Sequence, residues 1–178
     1  MVALERRRWI AYGAVAAMLA LLAPLPFLRR SDKPASPYAD LAQMPLMNRD
    51  DLMSTLHQPQ KFRPLLEASL NAYEAGDYRM AEAKARTILQ ALPTDPSALF
   101  VVAMAEYRQG QPGEAEKLMD QSERSQPMSA YRCWGALQLG LANGSRARID
   151  RECKHLDGDP SYAPQVQQIQ QAVQRRGA

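Results

Sequence analysis

The sequence predicts an all-α protein, and two patterns carry that prediction. Gly76, Gly110 and Gly144 follow one another at a spacing of 34 residues, which is typical of stacked helix–turn–helix units. The chain also contains an apolar run without charged residues over 9–28, as expected for a membrane-spanning helix. We therefore expect one transmembrane helix, three helical repeats and a final helix that caps the stack.

The apolar run 9–28 is 20 residues long, enough to cross a hydrocarbon core of about 30 Å as a helix. A cleaved signal peptide is the alternative to an uncleaved anchor. No small-residue cleavage site separates the run from Arg29, which favours the anchor. The three arginines at 6–8 indicate that the basic tail 1–8 is cytoplasmic. This topology predicts a single-pass protein of the inner (cytoplasmic) membrane, with its repeats periplasmic or otherwise extracytoplasmic.

Residues 29–60 form a predicted Pro-rich linker, because prolines at 34, 37, 45 and 59 interrupt any continuous helix. Two interpretations stay open. The linker is a spacer with transient short helices, or it docks onto the repeats, since 41–56 holds more large apolar residues than a plain tether requires. In either case Asp50 is the expected N-cap of a short helix over 52–57.

The predicted repeats occupy residues 61–160, and each consists of two helices joined at one of the spaced glycines. The expected helices cover 64–75 and 78–91, 97–109 and 113–125, and 129–142 and 145–156. The third repeat is the most divergent, because Ile149 stands where the first two have Ala81 and Ala115. This larger side chain should displace the two helices of its repeat locally.

Residues 161–178 form the predicted capping helix and tail. Val166, Ile169 and Val173 make one apolar stripe on a helix over 163–175, and glutamines occupy most of the remaining surface. One face would seal the open end of the stack while the other meets water.

The stretches AYEAGDYRMAEA, AEYRQGQPGEAE and LGLANGSRARID, followed in the first two repeats by Pro93 and Pro127, resemble the tetratricopeptide repeat family over about residues 62–160. The resemblance implies a right-handed helical solenoid whose first helices line a concave groove. It also implies a protein–protein interaction scaffold, here a membrane-anchored one of the cell envelope.

The concave face expected from this alignment is apolar and aromatic. Its predicted partner-binding residues are Leu66, Leu70, Tyr73, Phe100, Met104, Tyr107, Arg108, Tyr131, Trp134, Gln138 and Leu141. Such side chains at helical spacing also suit a core. However, other positions on the same helices, such as Val102 and Ala136, already serve packing, so these residues predict a groove for an apolar helix or peptide. The rival occupants are the chain's own 41–56 or a second copy.

Cys133 and Cys153 are the only cysteines, and the antiparallel register of the third predicted helix pair predicts that they face each other. A disulfide is plausible there in an oxidising compartment, and two buried thiols are the alternative. Cys153, Lys154 and His155 do not form a metal motif, because no second Cys/His pair lies nearby in the sequence. We therefore predict no metal site and no cofactor.

The residues contain no arrangement typical of an enzyme, such as a phosphate-binding loop or a nucleophile elbow. Residues 61–178 carry 15 Lys/Arg and 14 Asp/Glu, so no basic surface for nucleic acid is expected, nor is a small-molecule substrate. The predicted function is that of a membrane-anchored adaptor or assembly factor for envelope proteins. One alternative is a permanent structural subunit of a membrane complex; another is a factor for cytochrome c maturation, pilus assembly or secretion-system assembly.

Overall fold

The computed structural model describes residues 36–43 and 47–177, and all regular secondary structure within them is helical. The all-α prediction is therefore confirmed for this part of the chain. The helices are a 3-10 helix Ala39–Leu41 and α1 Arg49–Thr55, α2 Pro59–Glu74, α3 Tyr78–Ala91, α4 Pro96–Arg108, α5 Pro112–Ser125, α6 Ala130–Asn143, α7 Arg146–Leu156 and α8 Ala163–Gly177.

The predicted membrane span 9–28 lies outside the described residues. Among the residues that are described, no helix is both long enough and apolar enough to cross a bilayer.

The three spaced glycines end three helices in the same way. Gly76, Gly110 and Gly144 have φ angles of 80°, 80° and 72°, in the left-handed region that glycine enters without steric cost. At each turn the glycine N–H donates to the carbonyl three residues back, and the next N–H donates to the carbonyl five residues back. This is the Schellman motif, so the 34-residue period reflects three equivalent helix ends.

Two predicted helix starts are wrong. The first repeat helix begins at Pro59 rather than at Pro64, because Pro59 occupies the N-terminal turn and Pro64 lies inside the helix, where it supplies no N–H. Helix α1 begins at Arg49, and its N-cap is Asn48, whose side chain accepts from the Asp51 N–H at 3.1 Å. Asp50 is therefore not the cap; it lies in the first turn, where its charge favours the helix dipole.

Consecutive helices pack as hairpins, α2 with α3, α4 with α5 and α6 with α7, and α3 also packs on α4. Helix α4 is the centre of this arrangement, because α1, α2, α3 and α5 all contact it. Every residue of α4 from Pro96 to Glu106 is buried as a result. Glu106 lies at its buried end and pairs with Arg86 of α3 at 2.6 Å, and burial raises the pKa of the Glu106 carboxyl.

The C-terminal helices form a second apolar cluster. Val166, Ile169 and Val173 of α8 are buried in one cluster with Leu137 and Leu141 of α6, and α8 contacts α7. Ile149 is also buried in this cluster, so its larger side chain is accommodated by packing. The apolar stripe of α8 thus covers the end of the α6–α7 hairpin.

A buried arginine joins α7 to α5. Arg148 is 3% exposed, and its guanidinium pairs with Asp120 and Glu123 and lies 3.6 Å from Glu116. Its side chain packs so closely on Gly140 that a Cβ there would come within 3.1 Å of it. Contacts between α5 and α6 are sparser than those within the hairpins, and this ionic group adds a connection between the second and third hairpins.

Alanine substitutions at Gly76 and Gly144 should distinguish the cost of backbone strain from the loss of contacts made by residues 36–43. At Gly76 a Cβ meets nothing within 4 Å, so Gly76→Ala should lower the free energy of unfolding by about 1–2 kcal/mol through strain alone. At Gly144 the Cβ would also lie 3.1 Å from the Ser36 Oγ. We expect Gly144→Ala, and not Gly76→Ala, to increase amide hydrogen exchange at residues 36–43 of the detergent-solubilised chain. Equal exchange in both variants would contradict the docking of Ser36.

Candidate functional site

The predicted concave face is the surface that α2, α4 and α6 present together, and we call its predicted partner-binding residues the groove face. Most of the groove face is buried in the structure. The buried members are Leu66, Leu70, Tyr73, Phe100, Met104, Tyr131, Gln138 and Leu141, whereas Tyr107 and Trp134 are half-buried and Arg108 is exposed.

The chain's own residues 47–56, here called the docked segment, cover much of this face. Met47, Leu52 and Leu56 are buried and belong to the same apolar cluster as Leu66 and Phe100. Helix α1 of the docked segment contacts both α2 and α4. Of the two interpretations of the linker, the structure therefore shows docking for these residues.

Two side chains at the start of α4 hold the docked segment by its main chain. The Ser97 hydroxyl donates to the Leu52 carbonyl at 2.6 Å, and the Asp95 carboxylate accepts from the His57 N–H at 2.7 Å. Asp95 also caps α4, because its other oxygen accepts from the Ala98 N–H at 2.8 Å. Since both contacts reach backbone groups, they do not depend on the side chains at 52 and 57.

Tyr131 of α6 forms the far wall of this contact. Its ring lies 5.4 Å from that of Phe100, and its hydroxyl donates to the Met47 Sδ at 3.6 Å. Burial raises the pKa of the Tyr131 hydroxyl, so it stays neutral at physiological pH. The contact between Met47 and Tyr131 is thus apolar, and the flexible thioether of methionine is a group that other side chains of similar size can replace.

A buried arginine lies beneath the docked segment and is incompletely paired. Arg132 is 1% exposed, its Nη2 donates to the Pro127 carbonyl at 3.2 Å, and its Nε lies 3.7 Å from the Asp51 carboxylate. Among the described residues its Nε and Nη1 have no hydrogen-bond partner. Burial lowers the pKa of Arg132, so this charge opposes the covering of the groove face.

Residues 36–43 cover the α6 end of the groove face. The Ser36 hydroxyl donates to the Leu141 carbonyl at 2.6 Å, and the Gln43 N–H donates to the Gln138 side chain at 2.5 Å. Tyr38 is buried in the C-terminal apolar cluster. Trp134 is held from the other side, since its ring stacks on Tyr162 at 5.2 Å.

The accessible margin of the groove face lies around Tyr107 and Arg108. Arg108 donates to the Tyr73 hydroxyl at 3.3 Å and lies over the Tyr78 ring at 5.9 Å. Exposed Glu74 pairs with Arg49 of α1 at 2.7 Å, a surface contact that is worth little. This margin therefore combines aromatic surface with Arg108 and with the Arg49–Glu74 ion pair.

Cys133 and Cys153 are buried free thiols in the structure. Burial raises the pKa of Cys133 to about 12 and that of Cys153 to about 11, which keeps both protonated and weakly nucleophilic. A disulfide between them stays a prediction for an oxidising compartment.

The comparisons with known proteins assign no family to the chain. No protein-family model matches it, and no curated protein matches it. The resemblance to tetratricopeptide repeats therefore rests on the repeat residues themselves.

Sequence reasoning missed the polar residues of this site, namely Asp95, Ser97 and Arg132. Asp95 carries a visible signal as the residue before Pro96 at a helix start. Nothing in the sequence indicates its second contact, because His57 lies 38 positions away and only packing brings the two together.

Leu52→Ala should loosen the docked segment. Leu52 is fully buried, and truncating such a side chain lowers the free energy of unfolding by about 2–5 kcal/mol. The observed loss cannot exceed the free energy with which the docked segment binds, because beyond that point the segment would detach. We expect faster amide exchange at residues 47–56. Ser54→Ala, at an exposed position of the same helix, should change stability by less than about 0.5 kcal/mol and serves as the control. Identical exchange in the two variants would show that Leu52 does not hold the segment.

Proposed function

We propose that this chain is a membrane-anchored, tetratricopeptide-like solenoid protein of the cell envelope that acts as an adaptor or assembly factor. Its groove face binds an apolar helix or peptide of a protein partner in exchange for the docked segment. Support for the solenoid comes from the three hairpins, whose first helices end in equivalent Schellman motifs spaced 34 residues apart. Support for the anchor comes from the charge-free run 9–28.

The observation that carries the proposal is the manner in which the docked segment is bound. A short helix places apolar side chains in a groove between helices, which is a recurring mode of peptide recognition. Ser97 and Asp95 each reach a main-chain group, so a segment of the same backbone shape can make these two contacts. Ser97 also bonds the Thr55 hydroxyl at 2.7 Å, and this contact does depend on the side chain of the segment. A partner segment then needs large apolar residues at the spacing of Met47, Leu52 and Leu56.

The docked segment is suited to exchange because its binding is opposed by buried polar groups. Among the described residues, Arg132 Nε and Nη1 and Asp51 Oδ2 lack hydrogen-bond partners. Each such group costs about 1–3 kcal/mol when buried. Release of the segment would expose Arg132 and Asp51 to water, which recovers part of that cost. A partner that supplies a better-placed carboxylate for Arg132 would bind in preference.

The proposed topology places the N-terminus in the cytoplasm and the repeats in the periplasm or its equivalent. It follows from the arginines at 6–8 and from the apolar run. No catalytic role, cofactor, nucleic acid or small-molecule substrate forms part of the proposal.

A permanent structural subunit of a membrane complex is the second candidate. The full burial of Leu52 in the same cluster as α2, α4 and α6 favours it, because a groove that is part of the core has no need to open. Extraction in mild detergent separates the two, since a subunit should co-migrate with its complex in fixed ratio. Cytochrome c maturation, pilus assembly and secretion-system assembly all fit the adaptor proposal equally well.

An engineered disulfide between positions 55 and 97, here called the clamp, tests whether a partner segment replaces the docked segment. The Thr55 and Ser97 hydroxyl oxygens lie 2.7 Å apart, so cysteines at both positions can bond and lock the docked segment in place. We would combine Thr55→Cys and Ser97→Cys with Cys133→Ser and Cys153→Ser, and place a photoreactive residue at Tyr107. In native membranes we expect cross-linking to a different envelope protein when the clamp is reduced, and its loss when the clamp is oxidised.

The same protein under reducing conditions is the matched control, because it carries every substitution. Cross-linking that occurs only to residues 47–56 in the reduced state would overturn the exchange and favour the structural subunit. Partner cross-linking that is unaffected by oxidation would place the partner on another surface.

A further inference from the structure

Three side chains capable of binding a metal converge where α6 packs against α7. They are Cys133 near the start of α6 and Glu152 and His155 near the end of α7. One ligand atom from each, the Cys133 Sγ, a Glu152 carboxylate oxygen and a His155 ring nitrogen, lies within 4.8 Å of the others. This cluster plays no part in the groove described above.

The hairpin geometry explains why these residues meet. Glu152 and His155 are three positions apart and so share one face of α7. Cys133 projects from the antiparallel helix opposite them. Cys133 and Glu152 are buried, whereas the His155 side chain is 56% exposed and free to turn toward them. The His155 Nδ1 is already 3.4 Å from the Glu152 Oε2.

The surroundings of Glu152 leave one of its oxygens for a ligand. Its Oε1 accepts from the Arg151 Nε at 2.7 Å, and Arg151 also pairs with Glu123 at 2.7 Å. Metal-bound carboxylates are commonly oriented by such a hydrogen bond on the second oxygen. The Oε2 faces His155, on the side where Cys133 lies.

A cavity of about 510 Å³ opens beside the cluster. Its wall includes Cys133, Glu152 and His155 together with the carboxylates of Glu123 and Asp159. The cavity can hold water, and Asp159 stands on the loop between α7 and α8. Water that enters this cavity can therefore supply a fourth ligand.

We propose that Cys133, Glu152 and His155 form a zinc site with a fourth position open to this cavity. A thiolate, an imidazole and a carboxylate are the donors that Zn²⁺ takes, and sites with three protein ligands usually complete their coordination with water. The thiolate disfavours Mg²⁺ and Ca²⁺, which prefer oxygen ligands. Bond lengths of about 2.0–2.3 Å place tetrahedral ligand atoms about 3.5 Å apart, so each atom moves by about 1 Å to bind.

Binding is a simple exchange of cations. The Cys133 thiol loses its proton to solvent as the S–Zn bond forms, and no electrons are transferred. The ion places positive charge beside the Glu152 Oε2, whereas the Oε1 is already bound by Arg151. It also links α6 to α7, so zinc should stabilise the third hairpin because it binds the folded chain only.

Cobalt(II) is the probe, since its bond to a thiolate gives an intense near-ultraviolet absorption. With the full chain in detergent, kept reduced by a phosphine, we expect one Co²⁺ per chain with this absorption and its displacement by Zn²⁺. Cys133→Ser and His155→Ala should abolish the absorption. The chain provides matched controls, because Cys153→Ser and His57→Ala alter the other cysteine and the other histidine and should retain it.

His155 is exposed, so His155→Ala tests the site without threatening the fold. An absorption that persists in His155→Ala, or that disappears equally in Cys153→Ser, would overturn the proposal. So would the absence of free thiols in protein isolated from native membranes without reductant, because Cys133 would then be consumed by a disulfide. Failure of the groove exchange has no bearing on this result, as the two sites share no residue.

Discussion

The structure depends on the need to cover the apolar side that α2, α4 and α6 present together. A helical hairpin buries only the stripe that faces its partner, and the groove face is left over. Phe100, Met104 and Leu66 would expose a large apolar surface to water, at about 25 cal/mol for each Å². Met47, Leu52 and Leu56 cover it, so the segment after the predicted anchor is part of the core. Gln58 has a φ of 52°, which lets the chain turn back between α1 and α2. Among the described residues it is the one non-glycine residue with a positive φ.

Two buried arginines show how differently the two ends of the domain are joined. Arg148 pairs with Asp120 and Glu123 and lies 3.6 Å from Glu116, so carboxylates surround its charge and join α7 to α5. Its Nε nevertheless lacks a hydrogen-bond partner among the described residues. Within residues 36–43 and 47–177, the guanidinium of Arg132 has the Asp51 carboxylate at 3.7 Å and one carbonyl as its partners. A charge buried without full pairing weakens the element that buries it, whereas a matched one resists separation. The incompletely paired Arg132 therefore opposes burial beneath the docked segment, which connects its packing to the proposed exchange.

In the α6–α7 hairpin, the Cys133 sulfur is available for either of two bonds, a disulfide with Cys153 or the proposed bond to a metal. Cys133 and Cys153 lie in the same apolar cluster, while Cys133 also lies beside Glu152 and His155. A disulfide and a metal cannot both use the Cys133 sulfur, so the redox state of the compartment decides between them. Either bond would strengthen the hairpin that has the sparsest helix contacts with the rest of the domain.

The sequence by itself determined the all-α class and the turns of the hairpins, because a left-handed glycine acts locally. Gly76, Gly110 and Gly144 therefore indicated where the hairpins turn. Caps and first-turn prolines located most helix starts, but Asp50 and Pro64 misplaced two of them, since each has a neighbouring residue that can begin the helix instead. The sequence did not determine whether the chain itself, a second copy or a partner covers the groove face. The spacing of apolar residues indicates that a surface must be covered, but it does not indicate which segment covers it. Only the tertiary structure brought Leu52 to Phe100, His57 to Asp95 and Cys133 to Glu152. These contacts join residues distant in the chain, and their geometry depends on how whole helices pack, which no local pattern encodes.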